Sequence, residues 1–225
     1  MINSHKLFGF SCALGCAILT TSCSITPGDA AFSSGHFEDA ARLYGERASI
    51  GDALAAFKLA TMYDGTNWTR AELGRDEAKA IEYYERAFEL GHLTAPAYIG
   101  AIYEVGGIDV PIDYDQARIW YEKGAELGQH TSMYSLAGLY SRKLVRPSDD
   151  VTGLMWVEIA RIMARAHSQN VGTEFILSDR KGYWRTLRNR MSDSEILLAT
   201  EKASEFVRTY KPPQHGELDP PNWTS

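Results

Sequence analysis

Nine residues, YYERAFELG (83–91), return thirty-seven positions later as WYEKGAELG (120–128). A chain that repeats itself at this interval is constrained to an architecture in which each copy packs on the next. Three glycines, Gly51, Gly91 and Gly128, fix the alignment, spaced by 40 and then 37 residues. Eleven positions before them stand Ala40, Ala80 and Ala117, and seven before them Tyr44, Tyr84 and Tyr121. Small residues follow three or four positions before each glycine: Ala48, Ala87, and Gly124 with Ala125. This spacing puts one apolar stripe on a 3.6-residue helix. Glycine then ends the helix, because it adopts the left-handed conformation at little cost.

A second pattern follows each glycine. LATMY (59–63), IGAIY (99–103) and LAGLY (136–140) read apolar, small, small or Thr, apolar, Tyr. Each unit is thus predicted to be two antiparallel helices, with Thr94 able to cap one of them and Pro96 inside its first turn. One hairpin cannot bury its apolar face alone; stacked neighbours form a continuous core. The expected fold class is all-α, an α-solenoid. A degenerate copy, GLMWVEIARIMA (153–164), places Gly153, Trp156 and Ala160 at the corresponding positions, with Ala164 where the closing glycine would stand.

Period and residues together resemble the Sel1-like repeat family, relatives of the tetratricopeptide repeat. ARIWYEKGAELG (117–128) and GGIDVPIDYDQA (106–117) carry the resemblance. It spans roughly residues 35–170 and implies a superhelix that binds partner proteins. WRTLRNRMSDSEILLATEKASEFVRTY (184–210) resembles the helical tail that often closes such proteins, with a capping box from Ser192 to Glu195. The expected organisation is a signal segment over 1–23, a linker over 24–34, repeats over 35–170, capping helices over 171–210 and a Pro-rich flexible tail over 211–225.

The N-terminal segment carries Lys6 and then an uncharged apolar run of thirteen residues, Leu7 to Leu19. That run is too short for a stable membrane-spanning helix and suits a signal-peptide core. TTSCS follows, resembling a bacterial lipobox that ends at Cys23, although Thr20 stands where such boxes usually carry Leu. Cys16 is a second candidate for the lipid site, with a very short apolar run before it, and plain cleavage near residue 23 is the other reading. All three cysteines, Cys12, Cys16 and Cys23, lie in this segment, so a mature chain keeps at most one. No intramolecular disulfide and no cysteine-based metal site can then form. Acyl chains on Cys23 would hold the protein on a membrane. Ser24 rather than Asp follows, a pattern that in bacterial lipoproteins points to the outer membrane. The expected location is the bacterial envelope, facing the periplasm.

Composition narrows the function classes. With 23 Lys+Arg against 29 Asp+Glu, the chain is acidic and shows no basic stripe of the kind nucleic acid requires. His36, His92, His130, His167 and His215 are scattered, none at metal-ligand spacing, and His92 and His130 fall just after turn glycines, where solvent is near. No serine stands in a nucleophile elbow, and Gly106–Gly107 lacks the Lys of a phosphate loop. Asp113 with Asp115, and Asp149 with Asp150, precede helices and read as caps. No catalytic residue, metal or cofactor is expected.

Tyr63, Tyr103 and Tyr140 recur once per unit on the first helix of each pair. They are the candidate partner-binding residues, since a rigid ring gives contact area at little entropic cost; packing between repeats is the stronger reading of the same residues. The basic stretch RKGYWRTLRNR (180–190) is a second feature, with Trp184, Leu187 and Met191 as its buried stripe and Arg185 and Arg188 elsewhere on a solvated face. The resemblance implies an envelope scaffold or adaptor for partner proteins, with exopolysaccharide secretion among the processes such relatives serve. A module binding peptidoglycan or polysaccharide is the alternative, and a cell-wall hydrolase a weaker one, since the paired cysteines of such relatives are missing.

Overall fold

The structure, a computed structural model, describes residues 25–65, 73–166 and 171–211. The signal-like segment with Cys12, Cys16 and Cys23, as well as His167, His215 and the tail from residue 212, lie outside the described residues. Among the described residues there are eleven α-helices and no strand. They are α1 (Pro27–Ser33), α2 (Phe37–Ser49), α3 (Ala53–Tyr63), α4 (Glu77–Glu89), α5 (Ala95–Val105), α6 (Tyr114–Glu126), α7 (His130–Ser141), α8 (Asp150–Ala166), α9 (Val171–Leu177), α10 (Tyr183–Arg188) and α11 (Asp193–Thr209). From α1 to α8 each helix packs on its chain neighbours, most extensively α3 on α4, α5 on α6 and α7 on α8. That serial packing is an α-solenoid.

Two kinds of connection alternate. The tight turns close at Gly51, Gly91 and Gly128, with φ of +96°, +97° and +81°. In each, the next residue donates its N–H to the carbonyl five positions back: Asp52 to Arg47, His92 to Ala87, Gln129 to Gly124. This closure satisfies carbonyls that the helix end leaves open. The same hydrogen bonds recur around Gly35 and, with no glycine, around Lys143 at φ +58°. The longer connections end on an aspartate cap. Asp76 and Asp113 each donate a backbone N–H to the carbonyl of the preceding unit's tyrosine, Tyr63 or Tyr103, at 3.1 and 2.8 Å. Their carboxylates accept from Lys79 N–H and from Asp115 and Gln116 N–H.

The repeated small and tyrosine positions form the core. Ala40, Ala80 and Ala117 are fully buried, with Tyr44, Tyr84 and Tyr121 beside them. Four apolar clusters follow one another along the chain. Tyr63 and Tyr103 each pack against two successive clusters, so they sit at the joints between units. Burying apolar surface contributes about 25 cal/mol per Å², which makes each joint a major source of stability.

Four local expectations are corrected. Thr94 occupies the cap position of α5, but its hydroxyl meets His92 Nδ1 at 3.2 Å and caps nothing. His92 is buried, 7 % exposed, and stacks on Phe57 of the preceding unit at 4.0 Å; burial pushes its imidazole down to about 4. The basic helix is short, Tyr183–Arg188, and Arg188 lies over Trp184 at 4.8 Å instead of standing apart. The expected linker over 24–34 carries α1, nucleated by a capping box from Thr26 to Asp29 and by Pro27 at its first position. The degenerate copy forms α8, which lacks a closing glycine and runs on to Ala166. At the far end α11 opens on the expected Ser192–Glu195 box and packs along α8 through Ala199 and Ala203.

Asp29 ties α1 to the first pair. Its carboxylate accepts Tyr44 Oη–H at 2.7 Å and Lys58 Nζ–H at 2.6 Å. Burial would raise this carboxyl, but the lysine and the tyrosine outweigh it and hold it at about 2. A depressed carboxyl stabilises the fold above its unfolded value and loses that contribution as pH falls through the folded one. Asp29→Asn is therefore expected to cost about 2 kcal/mol near neutrality. The gap from wild type should close between about pH 4 and about pH 2 in urea titrations. A gap that does not vary with pH would show that Asp29 acts by shape alone.

Candidate partner-binding groove

One groove of about 770 Å³ opens where α5 and α7 meet the corner between α9 and α10. Ala101, Glu104 and Val105 of α5 form one wall, and Ser135 with Arg142 continue it along α7 and just past its end. Phe175, Arg180, Lys181 and Tyr183 close the other side.

Each wall is held by identifiable contacts. Glu104 accepts Tyr121 Oη–H at 2.8 Å and Arg142 Nη2–H at 2.7 Å, linking α5, α6 and α7. Arg142 also donates Nε–H to the Gly138 carbonyl at 3.0 Å. Burial, with Glu104 beside it, pushes the Tyr121 hydroxyl well up, so it stays a donor. Across the groove, buried Asp179 accepts the N–H groups of Trp184 and Arg185 at 3.2 Å and Tyr134 Oη–H at 3.3 Å. This fixes α10 against α7. Tyr183 reaches α7 at Gly138, where an added Cβ would stand 2.7 Å from its ring. Tyr183 also lies 5.1 Å from Tyr134, which meets Phe175 edge-on at 5.8 Å.

The charge of this corner opposes that of the chain. Residues 180–190 hold Arg180, Lys181, Arg185, Arg188 and Arg190 with no acidic residue, in a chain of net charge −6. Among the described residues only Arg190 of these five forms an ion pair, with Asp150 at 3.0 Å. Trp184 meets the guanidiniums of Arg161 at 5.3 Å and Arg188 at 4.8 Å and donates Nε1–H to Glu158 at 2.6 Å. Arg180, Lys181 and Arg185 are exposed. Val105 at the end of α5 is 56 % exposed, and the loop that follows presents Ile108 and Ile112, at 68 % and 56 % exposure.

The three repeated tyrosines do not line this groove. Tyr63 stacks on Tyr83 at 6.0 Å under Lys79, Tyr103 joins two core clusters, and Tyr140 is 9 % exposed within the third. The sequence offered one signal for the groove, the basic run at 180–190. Glu104, Tyr121 and Arg142 share no spacing that could have linked them. Among the described residues no group of three His, Cys, Asp or Glu could hold a metal ion, and no helix is long and apolar enough to cross a membrane.

A family model for the Sel1 repeat matches residues 53–92 and 97–129. The chain carries Sel1 repeats over these residues. The matched stretches take in α3 with α4 and most of α5 with α6, two of the three pairs that pack most extensively. The family's segment thus runs from one tight glycine turn to the next, half a unit out of phase with the glycine-centred pairs of the sequence repeat. The pair α7–α8 repeats that packing beyond the matched residues. Two solved structures share the Sel1-like fold. One is c5321, a protective antigen present in uropathogenic Escherichia coli strains displaying an SLR fold; it is 22 % identical, with a TM-score of 0.60, over 82 % of this chain and 38 % of that one. The other is a Sel1 repeat protein from Oxalobacter formigenes, 23 % identical, with a TM-score of 0.51, over 75 % of this chain and 64 % of that one. The chain therefore spans less than two thirds of either structure. No curated protein matches it. Sel1 repeats generally mediate protein–protein interaction.

Proposed function

We propose that this Sel1-like chain is a non-catalytic envelope scaffold that binds partner proteins at the groove between α5, α7 and the α9–α10 corner. The observation that carries the reading is the groove itself: three separate parts of the solenoid meet there, and its walls are pinned by Glu104 and Asp179. A preorganised site loses little conformational freedom on binding. Tyr103 and Tyr140 pack within the core beneath the helices that carry it, and Tyr63 packs further back, between α3 and α4. Lys6, the apolar run and Cys23 support export and a lipid tether to the periplasmic side of a membrane, with the outer membrane as the destination.

The test is in-cell cross-linking of the tagged full-length chain beside Cys23→Ala, followed by mass spectrometry. Wild type is expected to capture a small set of envelope proteins, and capture should weaken without Cys23. The mature N-terminal peptide of wild type should carry the mass of acyl chains on Cys23. Enrichment of no protein above a mock control would end the scaffold reading, and an unmodified N-terminus would end the tether.

A further inference from the structure

We propose that the groove takes an extended acidic segment of a partner protein, its carboxylates meeting Arg180 and Lys181 while an apolar side chain rests against Ala101 and Val105. This deepens the scaffold reading above and rests on it.

Around the groove Arg142 is neutralised by Glu104 at 2.7 Å and anchored to a carbonyl. Arg180 and Lys181 are exposed, and neither pairs with a carboxylate among the described residues. The acid nearest them in sequence, Asp179, is buried and accepts the N–H groups that open α10. Two exposed cations thus stand over a cleft in a protein that is otherwise acidic. Such a site steers carboxylates toward itself and repels basic partners.

The geometry also discriminates among acidic ligands. Flat stacking on sugar rings needs aromatic faces open to solvent. Tyr134 is buried, Tyr183 covers Gly138, and Arg180 lies over Phe175 at 6.0 Å. An acidic membrane surface would meet protruding cations, whereas Arg180 and Lys181 border a recess. What remains open is an apolar strip, Ala101 and Val105, one turn apart on α5. A narrow cleft with an apolar strip and a cationic rim fits an extended peptide of alternating acidic and apolar residues.

The experiment uses the full chain and three labelled decapeptides of one apolar pattern, with Glu, Gln or Lys at the alternate positions. Fluorescence anisotropy is expected to show binding of the Glu peptide, weaker binding of the Gln peptide and none of the Lys peptide. The double variant Arg180→Glu with Lys181→Glu should lose the Glu peptide by about tenfold or more and gain the Lys peptide. Both side chains are exposed, so the thermal midpoint should not move. Polygalacturonate serves as the acidic glycan control. Equal binding of the three peptides, no binding of any, indifference to the charge reversal, or binding of polygalacturonate in place of the peptides would each overturn the proposal. The same double variant is carried through the cross-linking. If proteins are still captured but the Glu peptide does not bind, the acidic-segment proposal fails and the scaffold stands. If the Glu peptide binds in the predicted manner and no protein is captured in cells, the scaffold fails and the acidic site stands.

Discussion

Tyr84→Ala is expected to lower the unfolding free energy by about 4 kcal/mol, read as a shifted urea midpoint with an unchanged slope. Tyr84 is fully buried on α4, seven residues before its turn glycine. Its ring lies 5.2 Å from both Phe57 of α3 and Tyr98 of α5, so one side chain fills the space between three successive helices. A solenoid has no second core to absorb that loss, because each helix touches chiefly its chain neighbours. The hydroxyl adds a separate contribution. It donates to Asp64 at 3.1 Å, and Asp64 is fully buried at the start of the connection to α4. Tyr84→Phe keeps the ring and removes that donor, and should cost about 1–2 kcal/mol. Equal losses from the two variants would mean that the hydroxyl, and not the ring, holds the joint.

The repeat was legible because its marks are local. A glycine in the left-handed conformation closes a helix with hydrogen bonds reaching only five residues back, so Gly51, Gly91 and Gly128 announce their turns in sequence. Ala80 and Tyr84 lie on one helical stripe and declare a buried face by spacing alone. What depends on the neighbouring unit was not legible. His92 follows a turn glycine and reads as solvated, yet Phe57, thirty-five residues earlier, stacks on it and excludes water. Thr94 reads as a cap because its type is right, but the histidine two residues before it takes the hydroxyl. Lys143 closes α7 in a conformation that sequence assigns to glycine. The groove is the extreme case: Glu104, Tyr121, Arg142 and Lys181 converge only once the solenoid has wound and its C-terminal helices have folded back.

A buried carboxylate in the longer connection gives the second large effect. Glu77 opens α4 with its side chain fully out of solvent. One oxygen accepts Arg75 Nε–H at 2.7 Å; the other accepts the Ile108 N–H, thirty-one residues on, at 3.1 Å. Gly107 lies so close that an added Cβ would stand 2.6 Å from the carboxylate, which explains the second glycine of the pair better than any phosphate loop. Glu77→Ala leaves the Ile108 N–H without its partner and a cavity beside Gly107, while half-exposed Arg75 turns to water, and is expected to cost about 3 kcal/mol. Burial pushes the Glu77 carboxyl up, but the Ile108 N–H and Arg75 outweigh it and hold it below its ordinary value. Its contribution is therefore complete above the unfolded carboxyl's range and is lost as pH falls through the folded value. Glu77→Gln should trail wild type most near neutrality and converge with it in acid, in urea titrations from about pH 7 to about pH 3. The effect should also be local. Ile108 lies in the exposed loop after α5, so hydrogen exchange at its amide should accelerate in Glu77→Ala well beyond the acceleration in α8. Exchange that rises equally in both places would mean that Glu77 supports the whole solenoid and not the loop after α5.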